Sequence, residues 1–341
     1  MKKSIIKIVF ILLFVIIIYI RSRFPEFTTD NQICIQNEWK QSKTLKGTQD
    51  YGDKYLISFG NEKQYFKWLS LPKLNGSIGE IMIIVSSTSD NYARRNVLRK
   101  TWMNSSKIIQ SGKMSVLFLV GVSLSDSNVE KMVMEEANLY GDMIVVDMID
   151  TYFHLIYKSI SLLLYAVSKT PSTYQLIGKI DEDVIFHPDR IEFLINNKIV
   201  NTSAIEVYGH HVTAGGIVHR GIQKEKSWFV SREAFGCPKY PAYLSGPFYF
   251  MTRIAAQKIL NATKHRNTLQ MEDVFITGIL ADDAGVTKKG IPMMYMIPES
   301  MSDDENTDYL AWHTLKTNRQ YLEYYKKRVL PSSETEIGIR G

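Results

Sequence analysis

The stretch Tyr174-Gln-Leu-Ile-Gly-Lys-Ile-Asp-Glu-Asp-Val-Ile-Phe186 decides how the rest of the chain is read. Its first half is a short apolar run of the kind that forms a strand buried on both faces. Three acidic residues then close that strand, and unpaired carboxylates are too costly to bury as core. Side chains alternate along a strand, so Asp181 and Asp183 turn to the same side. Two carboxylates there suit a hard divalent cation with oxygen ligands, which in turn holds a diphosphate. A solvated acidic turn is the plain alternative for Asp-x-Asp alone. A phosphatase-type motif, in which the first Asp is a nucleophile, usually lies on the first strand and runs into Gly-Thr. Here the motif lies on about the fourth strand and runs into Val-Ile.

Three similar runs precede it: Ile81 to Val85, Val116 to Val120 and Met143 to Asp147. Between them lie helical patterns over Arg95–Trp102, Asn128–Asn138 and Leu155–Val167. Strands alternating with helices at these spacings predict an α/β fold with a mainly parallel central sheet. Ligands of such sheets bind at the carboxyl ends of the strands, which is where Asp181 and Asp183 fall. Two further segments carry chemistry. In Gln270-Met-Glu-Asp-Val274, Glu272 and Asp273 stand where a helix would begin, either as an ordinary acidic first turn or as a general base taking a proton from an acceptor hydroxyl. In Arg94-Arg-Asn-Val-Leu-Arg-Lys-Thr-Trp102, Arg95 and Arg99 share a helix face and can hold a diphosphate or a carboxylate within the fold.

The amino terminus is of a different kind. Ile8–Ile20 is an uninterrupted apolar run, extended to residues 5–20 if Lys7 snorkels. It stays bulky to its end with no small-x-small site after it, so it reads as a retained signal-anchor rather than a cleaved signal peptide. The first 23 residues hold Lys2, Lys3, Lys7, Arg21 and Arg23 and no acid, which accounts for nearly all of the net charge of +6. The remainder is close to neutral, so no basic face for nucleic acid is implied. Residues 1–4 are then a cytoplasmic tail, 21–77 a lumenal stem without sustained period, and 78–341 the catalytic domain. Four sequons, at Asn75, Asn104, Asn201 and Asn261, all lie downstream of the anchor, compatible with a lumenal body. Cys34 and Cys237 make neither a disulfide framework nor a zinc site. Free or buried thiols are one reading, and a bridge between the stems of two chains through Cys34 is another. A homodimer is compatible with either.

Taken in order, these segments resemble the β-1,3-galactosyltransferase family, glycosyltransferase family 31. Arg94–Trp102 is similar to the family's Arg-Arg-x-x-Ile-Arg-x-Thr-Trp, and Tyr140-Gly-Asp142 through Asp150-Thr-Tyr152, Leu155 and Lys158 to its next block. Lys179–Val184 resembles its Lys-x-Asp-Asp-Asp-Val metal motif. His219-Arg220, Lys226, Trp228–Ser231, Tyr240–Gly246 and Tyr249 resemble the acceptor block, and Glu272-Asp-Val274 with Gly278 the last acidic motif. The resemblance implies a GT-A type fold on a type II single-pass Golgi membrane protein, a UDP-sugar donor, Mn2+, and inversion to a β-1,3 linkage on a glycan, glycoprotein or glycolipid acceptor. Carried over by position, Asp181, Asp183 and His313 hold the metal. Arg95, Arg99, Asp150, Lys158, Lys179 and Asp181 face the donor, and Trp228, Tyr243, Gly246 and Glu272 the acceptor, with Asp273 as catalytic base. For His313 a structural role beside Trp312 stays open. Galactose is the expected sugar, with N-acetylglucosamine or N-acetylgalactosamine as alternatives. A catalytically silent glycan-binding or chaperone-like protein is the reading from another class. Departures from the pattern are Glu182 in the metal motif, His154-Leu-Ile156 for Asn-Leu-Thr, and Leu244 for the usual Cys.

Overall fold

A computed structural model describes residues 29–74, 79–123, 127–220, 229–295, 309–313 and 317–328. The apolar segment 5–20, Asn75, Lys226 and Trp228 lie outside the described residues, among which no helix is long and apolar enough to cross a membrane.

From Thr29 onward, the segment read as a stem is part of the folded body. It forms α1 (Thr29–Asn37), β1 (Thr48–Asp50), β2 (Lys54–Ser58) and β3 (Lys63–Ser70). The three strands form an antiparallel meander that joins the main sheet, with Trp68 of β3 opposite Val146. Tyr55, Ile57 and Trp68 enter the same core as the sheet, and the Tyr55 hydroxyl donates to Ser161 Oγ at 2.6 Å. The sequence hid this because half of β3 is exposed and it mixes lysine with aromatics, leaving no clean alternation. α1 is fastened by a Cys34–Cys237 disulfide with a Cα–Cα distance of 5.8 Å. That replaces both thiol readings: the bridge lies within one chain.

The centre follows from the apolar runs. β4 (Ile81–Ser86), β5 (Met114–Val122), β6 (Met143–Asp147) and β7 (Leu176–Asp181) are buried over almost their whole lengths. They pair in parallel in the order β6-β5-β4-β7. Around them the sheet is mixed rather than mainly parallel. Antiparallel β3 flanks β6, and β10 (Tyr243–Thr252) runs antiparallel to both β7 and β9 (Glu206–Val212), with β11 (Thr287–Gly290) at the far edge. Helices α2 (Tyr92–Lys100), α3 (Ser127–Tyr140) and α4 (Leu155–Ser168) are the crossovers between the parallel strands. α5 (Asp189–Asn196) follows β8 (Val184–Phe186), α6 (Arg253–Ala262) follows β10, and the Arg253 guanidinium donates to Ala166 O and Val167 O at the end of α4. One core lies between the sheet and α4 and α6, a second between the sheet and α2 and α3.

Two details of this architecture place the site. After β4 the chain winds outward to β5 and β6, then returns to the other side of β4 as β7. The carboxyl ends of β4 and β7 therefore meet at a switch in strand order, with Ser86 opposite Asp181, where open α/β sheets bind ligands. A small second sheet, in the order β12 (Met294–Tyr295), β13 (Ala311–His313), β8, then pairs β13 against β8, with His313 opposite Val184. That register carries His313 to the metal motif.

Candidate active site

A cleft of about 1070 Å³ opens at the switch point, lined on one side by Thr88, Asn91, Arg94, Asp183 and His313 and on the other by Tyr152, Tyr240, Tyr243, Gly246 and Asp273. Asp150, Lys158, Lys179, Asp181, Glu182 and Glu272 also reach its walls.

Its floor is organised by Lys179, fully buried on β7. The Lys179 ammonium donates to Gly246 O at 2.7 Å and pairs with Asp181 Oδ1 at 2.7 Å and Glu272 Oε2 at 3.8 Å. Burial alone would lower its pKa, but the Asp181 and Glu272 charges prevail and raise it, so it stays a cation. Glu272 is desolvated, which holds its carboxyl above the usual carboxylate range against the pull of Lys179. It accepts from the Tyr249 hydroxyl at 2.5 Å. Glu272 therefore braces the floor and its resident cation.

Asp273 opens α7 (Val274–Leu280), a helix with widened turns of the kind often found at functional sites. Its Oδ1 accepts from Val274 N at 2.8 Å and its Oδ2 from Gly246 N at 3.1 Å. Burial nonetheless pushes its pKa up, because it outweighs those hydrogen bonds and the nearby Lys179 charge. The result is a fixed carboxylate more basic than usual, facing open cleft. The Tyr243 phenol beside it is pushed up to about 12 by burial and by the Asp273 charge. Gly246 permits the arrangement. It lies where β10 loses its register with β9, between Leu244 and Tyr249, and a Cβ there would stand 3.3 Å from Asp273 Cβ and Oδ2.

Across the cleft, Asp183 Oδ2 and His313 Nε2 are 3.3 Å apart. With Asp181 nearby they offer carboxylate and imidazole donors. Among the described residues no three such side chains converge tightly enough to cage an ion by themselves. The donors fit a cation that takes its remaining ligands from a diphosphate and water, as small hard cations do.

Of the expected donor residues, Asp150, Lys158, Lys179 and Asp181 reach the cleft. The Lys158 ammonium holds both Asp150 oxygens, at 2.7 and 2.9 Å, and donates to Ser87 O at 2.6 Å. Arg95 and Arg99 do not line it. Arg95 is buried on Glu136, 2.6 Å away, and Arg99 spans Glu136 and Asp142, each at 2.8 Å. That network ties α2 to α3. The arginine at the cleft is their neighbour Arg94, whose Nη1 donates to Glu182 O at 3.1 Å and Nε to Asn318 Oδ1 at 2.6 Å. Identical side chains in one run could be sorted only by helix phase against the sheet. Tyr240 and Met271 also line the cleft; both lie inside recognised motifs, where sequence alone assigns neither a role. Tyr243, Gly246 and Glu272, the residues read as acceptor contacts, line the same cleft as Asp273, with the Glu272 carboxylate committed to Tyr249 and Lys179.

The departures have local explanations. Glu182 turns away from Asp183 to accept from Asn91. Ile156 and Leu244 are wholly buried core residues. Asn104, Asn201 and Asn261 are all exposed.

The galactosyltransferase family model matches residues 93–292. The beta-1,3-galactosyltransferase bre-2 of Caenorhabditis elegans is 50% identical over 305 residues, covering 88% of this chain and 84% of that one. The lactosylceramide 1,3-N-acetyl-beta-D-glucosaminyltransferase of Mus musculus is 28% identical over 216 residues, 60% of this chain and 55% of that one. Beta-1,3-galactosyltransferase 1 of Mus musculus is 25% identical over 204 residues, 60% of each. The protein is a glycosyltransferase enzyme with a glycosyltransferase-like α/β fold built on a large mixed sheet. It belongs to the galactosyltransferase family, glycosyltransferase family 31.

Proposed function

We propose that the protein transfers galactose from UDP-galactose to a hydroxyl of a glycan acceptor, forming a β-1,3 linkage with inversion, on a GT-A type fold. The observation that carries the chemistry is Asp273: a desolvated carboxylate held by Gly246 and Val274, across one cleft from the Asp183–His313 pair. The acceptor oxygen attacks the anomeric carbon from the face opposite UDP. Its proton passes to Asp273, and UDP leaves with the bonding electron pair. Gly246 and Lys179 fix the carboxylate's position and balance its charge. Asp183 and His313, with Asp181, would hold a divalent cation, Mn2+ by family resemblance. When bound, that ion supplies positive charge for the departing diphosphate. The activity for which the 50%-identical relative is named supports galactose. The 28%-identical relative is named for N-acetylglucosamine transfer, which keeps that sugar as the second reading.

The reading includes a type II membrane protein anchored by residues 5–20, with its catalytic domain in the Golgi lumen. An intrachain disulfide fits an oxidising compartment, and three exposed sequon asparagines fit a lumenal surface.

The test is UDP release by a soluble chain that retains Thr29 onward, with UDP-galactose, UDP-N-acetylglucosamine or UDP-N-acetylgalactosamine, glycan acceptors, and Mn2+ or a chelator. Release with UDP-galactose that the chelator abolishes is the expected result. Asp183→Asn should lose metal-dependent UDP binding, whereas Asp273→Asn should keep it and lose turnover. Preference for another donor would overturn the sugar assignment, and normal turnover by Asp273→Asn would overturn the base.

A further inference from the structure

Beside the cleft lies a second groove of about 330 Å³ that the catalytic scheme does not use, lined by Phe153, His154, Phe229, Ser231, Thr268 and Gln270 among others. Its volume falls within the range of about 300–1,000 Å³ usual for small-molecule sites. The two hollows share their walls. In the turn Tyr152–His154, Tyr152 faces the cleft while Phe153 and His154 face the groove. In the approach to the base, Gln270 faces the groove and Met271 the cleft, two residues before Asp273. The groove thus adjoins the acceptor side and is remote from the Asp183–His313 side.

The chemistry of its lining suits a sugar ring. Phe153 is 53% exposed at the groove, so its ring is open to a packing partner. One face of a pyranose is a layer of C–H groups that can cover such a ring, and its rim carries hydroxyls. Rim partners are present: among the described residues the Gln270 side chain makes no hydrogen bond. His154 commits Nδ1 to Thr151 Oγ1 at 2.7 Å, leaving Nε2 for a ligand. His154 is also where the sequence departs from the family pattern.

We propose that this groove is a subsite for the second sugar of the acceptor, so that the enzyme reads a disaccharide or longer glycan rather than a single terminal unit. The inference rests on the transferase reading above, and its test separates the two. The probes are p-nitrophenyl glycosides of galactose, N-acetylglucosamine and N-acetylgalactosamine, and disaccharide glycosides carrying the same terminal units. The wild type should favour the best disaccharide by about tenfold in kcat/KM, a factor that one aromatic packing contact supplies. Phe153→Ala, an exposed substitution that leaves the core alone, should erase most of that ratio, and Gln270→Ala should reduce it. Equal use of mono- and disaccharide by the wild type would overturn the subsite, as would an unchanged ratio in Phe153→Ala. Saturation-transfer NMR of the disaccharide on the enzyme without donor gives the independent arm. Saturation of the second sugar's C–H protons in the wild type that disappears in Phe153→Ala supports the groove even if no sugar is transferred, in which case only the transferase reading fails. No binding by the wild type overturns the groove.

Discussion

Removing the Cys34–Cys237 bridge tests both the stability of this fold and the construction of its acceptor wall. Cys34→Ala is the informative substitution, because alanine adds no unpaired polar atom beside the buried Cys237. The bridge closes a loop with a sequence separation of 203, for which the chain-entropy relation gives about 5 kcal/mol, near the top of the ~2–5 kcal/mol range seen on removal of native disulfides. An unfolding entropy of roughly 2.1 cal/mol/K per residue over about 300 folded residues makes that a fall in Tm of roughly 3–8 °C. The bridge acts with two hydrogen-bonded contacts, among the described residues, that fasten α1 and the adjoining Glu38 to the segment that leads to Tyr240 on the cleft wall. Asn31 exchanges hydrogen bonds with Lys239 at 3.0 and 3.2 Å, and Glu38 accepts from Gly236 N. Loosening that segment should therefore raise KM for the acceptor several-fold. UDP binding should stay as it was, because Asp183, His313 and Arg94 are carried by other elements. The assay is thermal unfolding of wild type and variant, with and without reductant, alongside initial rates against each substrate. Thiols in the denatured, unreduced wild type should be silent to a thiol reagent. Two reactive thiols there, or identical melting of wild type and variant, would refute the bridge. A lower Tm with an unmoved acceptor KM would confine its role to stability.

Other consequences are as direct. Because burial raises the pKa of Asp273, the base is protonated at a higher pH than an ordinary aspartate. The acid limb of kcat/KM should lie above the ~3.9 of a free aspartate, with activity lost as pH falls through it; a limb at the ordinary value would contradict the assignment. Gly246→Ala should displace Asp273 by a few tenths of an ångström and lower kcat by about tenfold with UDP binding intact, and undiminished kcat would show that the close approach is unimportant. A chain starting at Leu74 should fail to fold, since it lacks α1, β1–β3 and the partner of Cys237, whereas one starting between the apolar segment 5–20 and Thr29 should be soluble; cooperative melting of the shorter chain would disprove the role given to the amino-terminal segment.

The central strands and the carboxylates that line the cleft were legible in the sequence. Continuous apolar runs form strands buried on both faces, so β4 to β7 and their crossover helices were legible within a few residues of their ends. The position of Asp181 and Asp183 at a strand end followed from the same pattern, as did the acidic residues opening α7. The amino-terminal meander was not legible, because a strand with most of one face in solvent carries little hydrophobic signal. Phase was not legible either: Arg94, Arg95 and Arg99 are chemically identical, and only packing of α2 on the sheet sends Arg94 to the cleft and the other two to Glu136 and Asp142. Local pattern could neither pair Cys34 with Cys237 nor bring His313 to Asp183, a grouping that the family resemblance implied and the β13–β8 register accomplishes. Those contacts join residues far apart in the chain, and local sequence carries no record of which distant segments the folded backbone sets side by side.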